Sequence, residues 1–140
     1  MSPDPFRLGR FVEAQDGVYT QVCEELRRGE KRSHWMWFIF PQIRGLGRSP
    51  MAERFAIASL DEARAYLAHE ILGERLRECT GLVNGVAGRS ANEIFGDPDD
   101  LKFHSSMTLF AQAGEGETVY GEALKKYFSG KLDKGTLDRL

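Results

Sequence analysis

Apolar positions along this chain recur mostly three and four residues apart. Tyr19, Val22, Cys23 and Leu26 fall on one helical face, as do Leu72, Leu76, Cys79 and Val83, and then Tyr120, Leu124, Tyr127 and Phe128. Start and stop signals frame these stripes. Asp4-Pro5 opens a helix over Phe6 to Gln15, because the Asp side chain can accept an orphan amide where Pro has none to lose. Gly29 closes the second helix. Ser49-Pro50 opens a short helix over Met51 to Ile57, while Ser59 with Glu62 and Ser90 with Glu93 read as capping boxes. Asp97-Pro98 starts a further helix with Asp99 and Asp100 in its first turn, where the macrodipole favours acids. Gly130 stops the last stripe.

One run breaks the pattern. In "HWMWFIFPQ" no polar face separates Trp35 from Phe40, so the segment is either enclosed on all sides or lines a site. Its aromatic and β-branched residues favour strand by propensity, and its length leaves helix against strand open. The helical neighbours tip the reading to a short buried helix with Ser33 as N-cap and Pro41 as stop. No segment alternates with period two between hairpin turns. The expected fold class is all-α, a single compact multi-helical domain over 1–140 with roughly eight or nine short helices.

At 140 residues, 41% hydrophobic and 29% charged, the chain has the size and composition of one soluble globular domain. A formal net charge of −2 supplies no overall attraction for nucleic acid or anionic lipid. The start lacks the apolar stretch of a signal peptide, and no run of roughly eighteen apolar residues could span a bilayer, so cytoplasmic placement without membrane association is expected. Cys23 and Cys79, far apart in sequence and on helical stripes, read as buried thiols. His34, His69 and His104 have no metal-ligand spacing, so neither metal nor cofactor is expected.

Three places could carry chemistry. "RGLGRSP" sets Arg44, Gly45, Gly47, Arg48 and Ser49 ahead of a capped helix, an arrangement suited to an anion, although glycines turning a corner explain it as well. His34 beside Trp35 and Trp37 offers a proton carrier between indoles, with Gln42 able to read a ligand edge; packed side chains at the rim of a core are the plainer account. On the helix from Asp99, Phe103, Met107 and Phe110 share a face, while Lys102, Ser105 and Thr108, joined by Ser106, form a polar strip between apolar borders. That strip could hold a phosphate or carboxylate with Asp100 as acid or base; alternatively its hydroxyls bond carbonyls of their own helix. Arg27, Arg28, Lys31 and Arg32 abut the aromatic run, as in single-strand binders, but the glutamates among them suggest a solvated helix end.

"SHWMWFIFPQIRGLGRS" together with "DDLKFHSSMTLF" resembles an uncharacterised bacterial family, the domain of unknown function 1810 family, some of whose members carry the label calpastatin. The resemblance implies a compact helical domain and no established reaction; the label implies a disordered inhibitor, which this aromatic, capped sequence contradicts. "ILGERL" and "DDLKF" are also similar to stretches of helical N-glycosidases that act on phosphoribosyl and ADP-ribosyl compounds. That likeness implies a carboxylate to stabilise an oxocarbenium-like centre, for which Asp100 is the candidate, and a proton donor, for which His34 is. The expected function is therefore binding, with or without hydrolysis, of a phosphorylated nucleotide-like or sugar-phosphate molecule by Trp35, Trp37, Gln42, Arg48, Ser49, Lys102, Ser105, Ser106 and Thr108. A noncatalytic protein-interaction module with a partly surfacing aromatic run is the alternative, and nucleic-acid binding a second, which the net charge argues against.

Overall fold

The computed structural model describes residues 4–140, so the first three positions of the expected 1–140 domain lie outside it. Among the described residues there are ten helices and no strand: α1 Gly9–Asp16, α2 Tyr19–Arg28, α3 Met36–Ile39, α4 Pro50–Arg54, α5 Leu60–Ala68, α6 Leu72–Asn84, α7 Ala91–Phe95, α8 Asp99–Ala113, α9 Val119–Phe128 and α10 Lys134–Leu137. The fold is all-α, as the periodicity predicts.

Local signals place most boundaries. Ser49 and Ser59 accept the amides of Ala52 and Glu62, and Ser90 with Glu93 forms a reciprocal box. Only the first half of the Ser59 box forms. Glu62 turns instead to the Ala58 amide at 3.0 Å and to Arg10 at 3.0 Å, where a partly buried ion pair joins α5 to α1. Asp4 accepts the amides of Leu8 and Gly9 but stands a turn ahead of α1, which begins at Gly9 rather than Phe6, with Leu8 at the N-cap position and no side-chain cap there.

Three expectations need correction. Ser33 does not cap α3; its hydroxyl donates to Glu25 of α2 at 2.7 Å, and Trp35 takes the N-cap position. The helix after Pro50 ends at Arg54 rather than Ile57, because Ile57 pairs with Ile43 in an isolated parallel bridge, its amide donating to the Gln42 carbonyl at 2.9 Å. A tenth helix, α10, follows Gly130, capped by Asp133, whose side chain accepts the Thr136 amide.

α8 is the central element. It packs against α5, α7, α9 and α10, while α6 joins α2, α5 and α9. Phe103, Met107 and Phe110 are fully enclosed, and so are Ser106 and Thr108, so this helix is buried nearly all round. The aromatic run closes the core from the other side. Phe40 meets Phe103 edge-on, with centroids 5.0 Å apart, while Phe95 stacks on Phe103 at 4.7 Å. Of Trp35 to Phe40, only Trp37 is half-buried; the rest belongs to the core.

Candidate functional site

The Ile43–Ile57 bridge pins both ends of a loop that carries the glycine turn and α4. Its second bond runs from the Arg44 amide to the Ile57 carbonyl at 2.8 Å, and Ile43, Phe55 and Ile57 anchor it in the core. Two arginines and a glutamate stand at its outer side. Arg44, Gly45, Gly47, Arg48, Glu53 and Ala56 line a cleft of about 510 Å³. Neither arginine lies within ion-pair distance of a carboxylate among the described residues, whereas Arg10, Arg75 and Arg77 are each paired. A third guanidinium reaches the same turn, since Arg139 points one N–H at the Gly45 carbonyl, 3.5 Å away.

Gly47 also lines a second hollow, of about 270 Å³. Gln42 and Leu46 complete one wall, Pro98, Leu101, Lys102 and Ser105 form the next, and Asp133 and Gly135 close it. Only glycine fits between the two, because a Cβ on Gly47 would sit 2.6 Å from that of Ala52. The Lys102 ammonium stands 5.1 Å from the Trp37 ring centroid and 3.5 Å from an Asp99 oxygen. The two distant segments thus meet across a shared hollow.

The polar strip of α8 has an occupant from the chain itself. Ser105 contacts the Leu101 carbonyl at 3.1 Å and donates to Asp133 at 2.9 Å. Thr108 donates to the His104 carbonyl and accepts the Asp133 amide, both at 2.9 Å. Burial alone would raise the Asp133 carboxyl, but bonds from Thr136 and Ser105 outweigh it and hold the group below its ordinary range. Asp133 therefore stands ionised at neutral pH in the hollow that Lys102 also lines.

The remaining candidates lie elsewhere. Trp35 is 1% exposed and donates its indole N–H to Glu25 at 3.0 Å. Ser106 is wholly enclosed, and the Ser49 hydroxyl is engaged as the α4 cap. His34 is exposed and lines neither cleft. Asp100 accepts from the Leu101 amide at 2.9 Å and from Asn92 at 3.3 Å, likewise outside both. So Gln42, Lys102 and Ser105 converge, Arg48 lines the adjoining cleft, and Trp37 acts only through Lys102. The structure does not bring His34 and Asp100 to the clefts that hold the others. Asp133 and Arg139 were missed; the Asp-x-x-Thr spacing of a capped turn at Asp133 was the available signal.

The basic cluster is matched by acids, with Arg27 and Arg28 near Glu24, Arg32 near Glu30, and Lys31 2.8 Å from Asp99. Among the described residues no group of three or more His, Cys, Asp or Glu could hold a metal ion, and no helix is long and apolar enough to cross a membrane.

The glycine loop comes from the first quoted motif and α8 from the second, and a model of the family described as "Protein of unknown function (DUF1810)" matches residues 5–140. The chain belongs to this family. The crystal structure of a conserved hypothetical protein from Mycobacterium tuberculosis is similar to this DUF1810 fold along almost all of its length, with a TM-score of 0.97, 60% identity and 98% of each chain covered. No curated protein matches.

Proposed function

We propose that the glycine loop binds a small phosphorylated molecule, its phosphate between Arg44 and Arg48 and its remainder extending past Gly47 toward Gln42 and Lys102. The observation that carries this reading is the pair of guanidinium groups without carboxylate partners, walling a cleft that opens beside a second, polar one. Arginine suits the task because its fork donates two parallel hydrogen bonds to a phosphate. Gln42 can donate to or accept from hydroxyls, and Lys102, shared with Asp99, adds a third positive charge. The reading is of binding alone. His34 and Asp100, the pair an N-glycosidase-like reaction would need, stand outside both clefts.

A thermal-shift series with inorganic phosphate, ribose 5-phosphate, glucose 6-phosphate and AMP tests it. A ligand at one hundred times its dissociation constant adds about 2.7 kcal/mol to the native state, enough for a rise of several degrees. The rise should disappear in an Arg44→Ala, Arg48→Ala double variant. No shift with any of these phosphates, or an undiminished shift in the variant, would remove the proposal.

A further inference from the structure

Away from the clefts, one reactive cluster has no part in the proposed binding. Cys23 on α2 and Cys79 on α6 are free thiols, 7% and 1% exposed, on two helices packed together. Both sulfurs stand within 3.9 Å of the same hydrogen-bonded Tyr19–Glu78 pair. The pair is set in a polar niche. Cys79 Sγ lies 3.8 Å from the Tyr19 hydroxyl, Cys23 Sγ lies 3.9 Å from a Glu78 carboxylate oxygen, and Tyr19 donates to that same oxygen. Structural thiols usually sit among apolar side chains and are inert there; these face a phenol and a carboxylate at the edge of the core.

We propose that Cys23 and Cys79 are a dithiol oxidised by hydrogen peroxide, with Cys23 the attacking and Cys79 the resolving residue, giving a disulfide that staples α2 to α6. The Cys23 thiolate would attack the peroxide oxygen, forming an S–O bond as the O–O bond breaks, and the departing hydroxide would take a proton to leave as water. Cys79 sulfur would then attack the sulfenic sulfur. The S–S bond forms, the S–O bond breaks, and the sulfenic oxygen leaves as water with the Cys79 proton. Two thiols lose two electrons to one peroxide, and two waters result.

The division of labour follows from position. Cys23 is the less enclosed of the two, 7% exposed against 1% for Cys79, and is therefore assigned the attack. The hydrogen bond from Cys79 pulls the Cys23 pKa down to about 7, helped by the Tyr19 hydroxyl and the Arg27 charge, against burial and the neighbouring Glu78 carboxylate, which both raise it. Cys79 is pushed well up by its bond to Cys23 and by burial, so it keeps the proton that the second step consumes. The charged and titratable groups facing the pair are Tyr19 and Arg27 from α2, Glu78 from α6 and the buried Tyr66 from α5 on the Cys79 side, with Arg75 over the Tyr19 ring at 4.8 Å. Tyr19 remains a neutral donor, because burial raises its pKa far above neutrality.

Treating the intact protein with a small excess of hydrogen peroxide at pH 7, followed by intact-mass and peptide mapping, tests the proposal. The expected result is a monomer lighter by about 2 Da, a Cys23–Cys79 cross-linked peptide, and both thiols restored by dithiothreitol. A sulfinic Cys23 beside an untouched Cys79, a disulfide between molecules, or an inert native protein whose guanidinium-unfolded form oxidises would each overturn it. In Cys79→Ala, dimedone should trap Cys23 as the sulfenic acid, and the pH midpoint of Cys23 alkylation should move from about 7 toward the free-thiol value of about 8.5. An unmoved midpoint would show that Cys79 does not set Cys23 reactivity. The wild-type oxidation reads the dithiol even if that variant folds poorly.

Discussion

Replacing Glu25 by glutamine removes a charge that the fold has enclosed with donors. The residue is 6% exposed, yet its carboxylate takes the amides of Arg32 and Ser33 at 2.7 and 3.0 Å, the Ser33 hydroxyl at 2.7 Å, the Trp35 indole at 3.0 Å and the Gln21 amide at 3.1 Å. These bonds fix the chain between α2 and the aromatic run. Burial by itself would raise this carboxyl, but the bonds from Arg32, Ser33 and Trp35 prevail and pull its pKa from 4.5 to about 2. A difference of that size corresponds to roughly 3 kcal/mol of stability. Because the folded value lies below the unfolded one, the contribution is complete above about pH 4.5 and is lost as pH falls toward 2. Glu25→Gln should therefore cost about 2–3 kcal/mol at pH 7, and the two proteins should converge near pH 2. Guanidinium unfolding at several pH values between 7 and 2 would measure both. A loss below about 0.5 kcal/mol at pH 7, or an acid dependence equal in the two proteins, would refute the reasoning.

Two further substitutions probe other parts of the account. Gly73→Ala in α6 should destabilise by more than about 2 kcal/mol in chemical denaturation, because its Cβ would stand 2.1 Å from the Leu67 carbonyl oxygen, and backbone cannot yield cheaply; a change under about 0.5 kcal/mol would contradict the tight approach of α5 to α6. Asp133→Asn should loosen the C-terminal segment, seen as faster hydrogen exchange over residues 131–140 with α5, α6 and α8 unchanged. Since the Asp133 pKa is depressed, the difference from wild type should be full at neutral pH and shrink on acidification; equal exchange at pH 7 would rule out this anchoring role.

Much of the architecture was legible because it is written locally. Caps at Ser49, Ser59 and Ser90 and the stripes from Tyr19, Leu72 and Tyr120 need only neighbouring residues to act. The misreadings involve partners distant in sequence. Ile57 fits the end of a helix in its own window, and leaves it only because Ile43 offers a backbone to pair with. Ser33 looks like a cap until Glu25 is folded back beside it. The strip of Lys102, Ser105 and Thr108 was correctly read as not freely solvated, yet nothing in that helix could reveal that Asp133 would fill part of it. The single site expected from the aromatic run, the glycine turn and α8 is divided: Gln42, Lys102 and Ser105 line one hollow whose third wall arrives from the C-terminal segment, Arg48 lines another, and His34 and Trp35 line neither.

The central claim, that a phosphate is held at the glycine loop, is tested most directly by titrating the isotopically labelled protein with ribose 5-phosphate and following backbone amide resonances. The account predicts saturable shifts concentrated at Arg44 to Ser49 and at Lys102, absent from the Arg44→Ala, Arg48→Ala variant. Shifts centred anywhere else in the molecule, or no saturable shift at millimolar ligand, would contradict it.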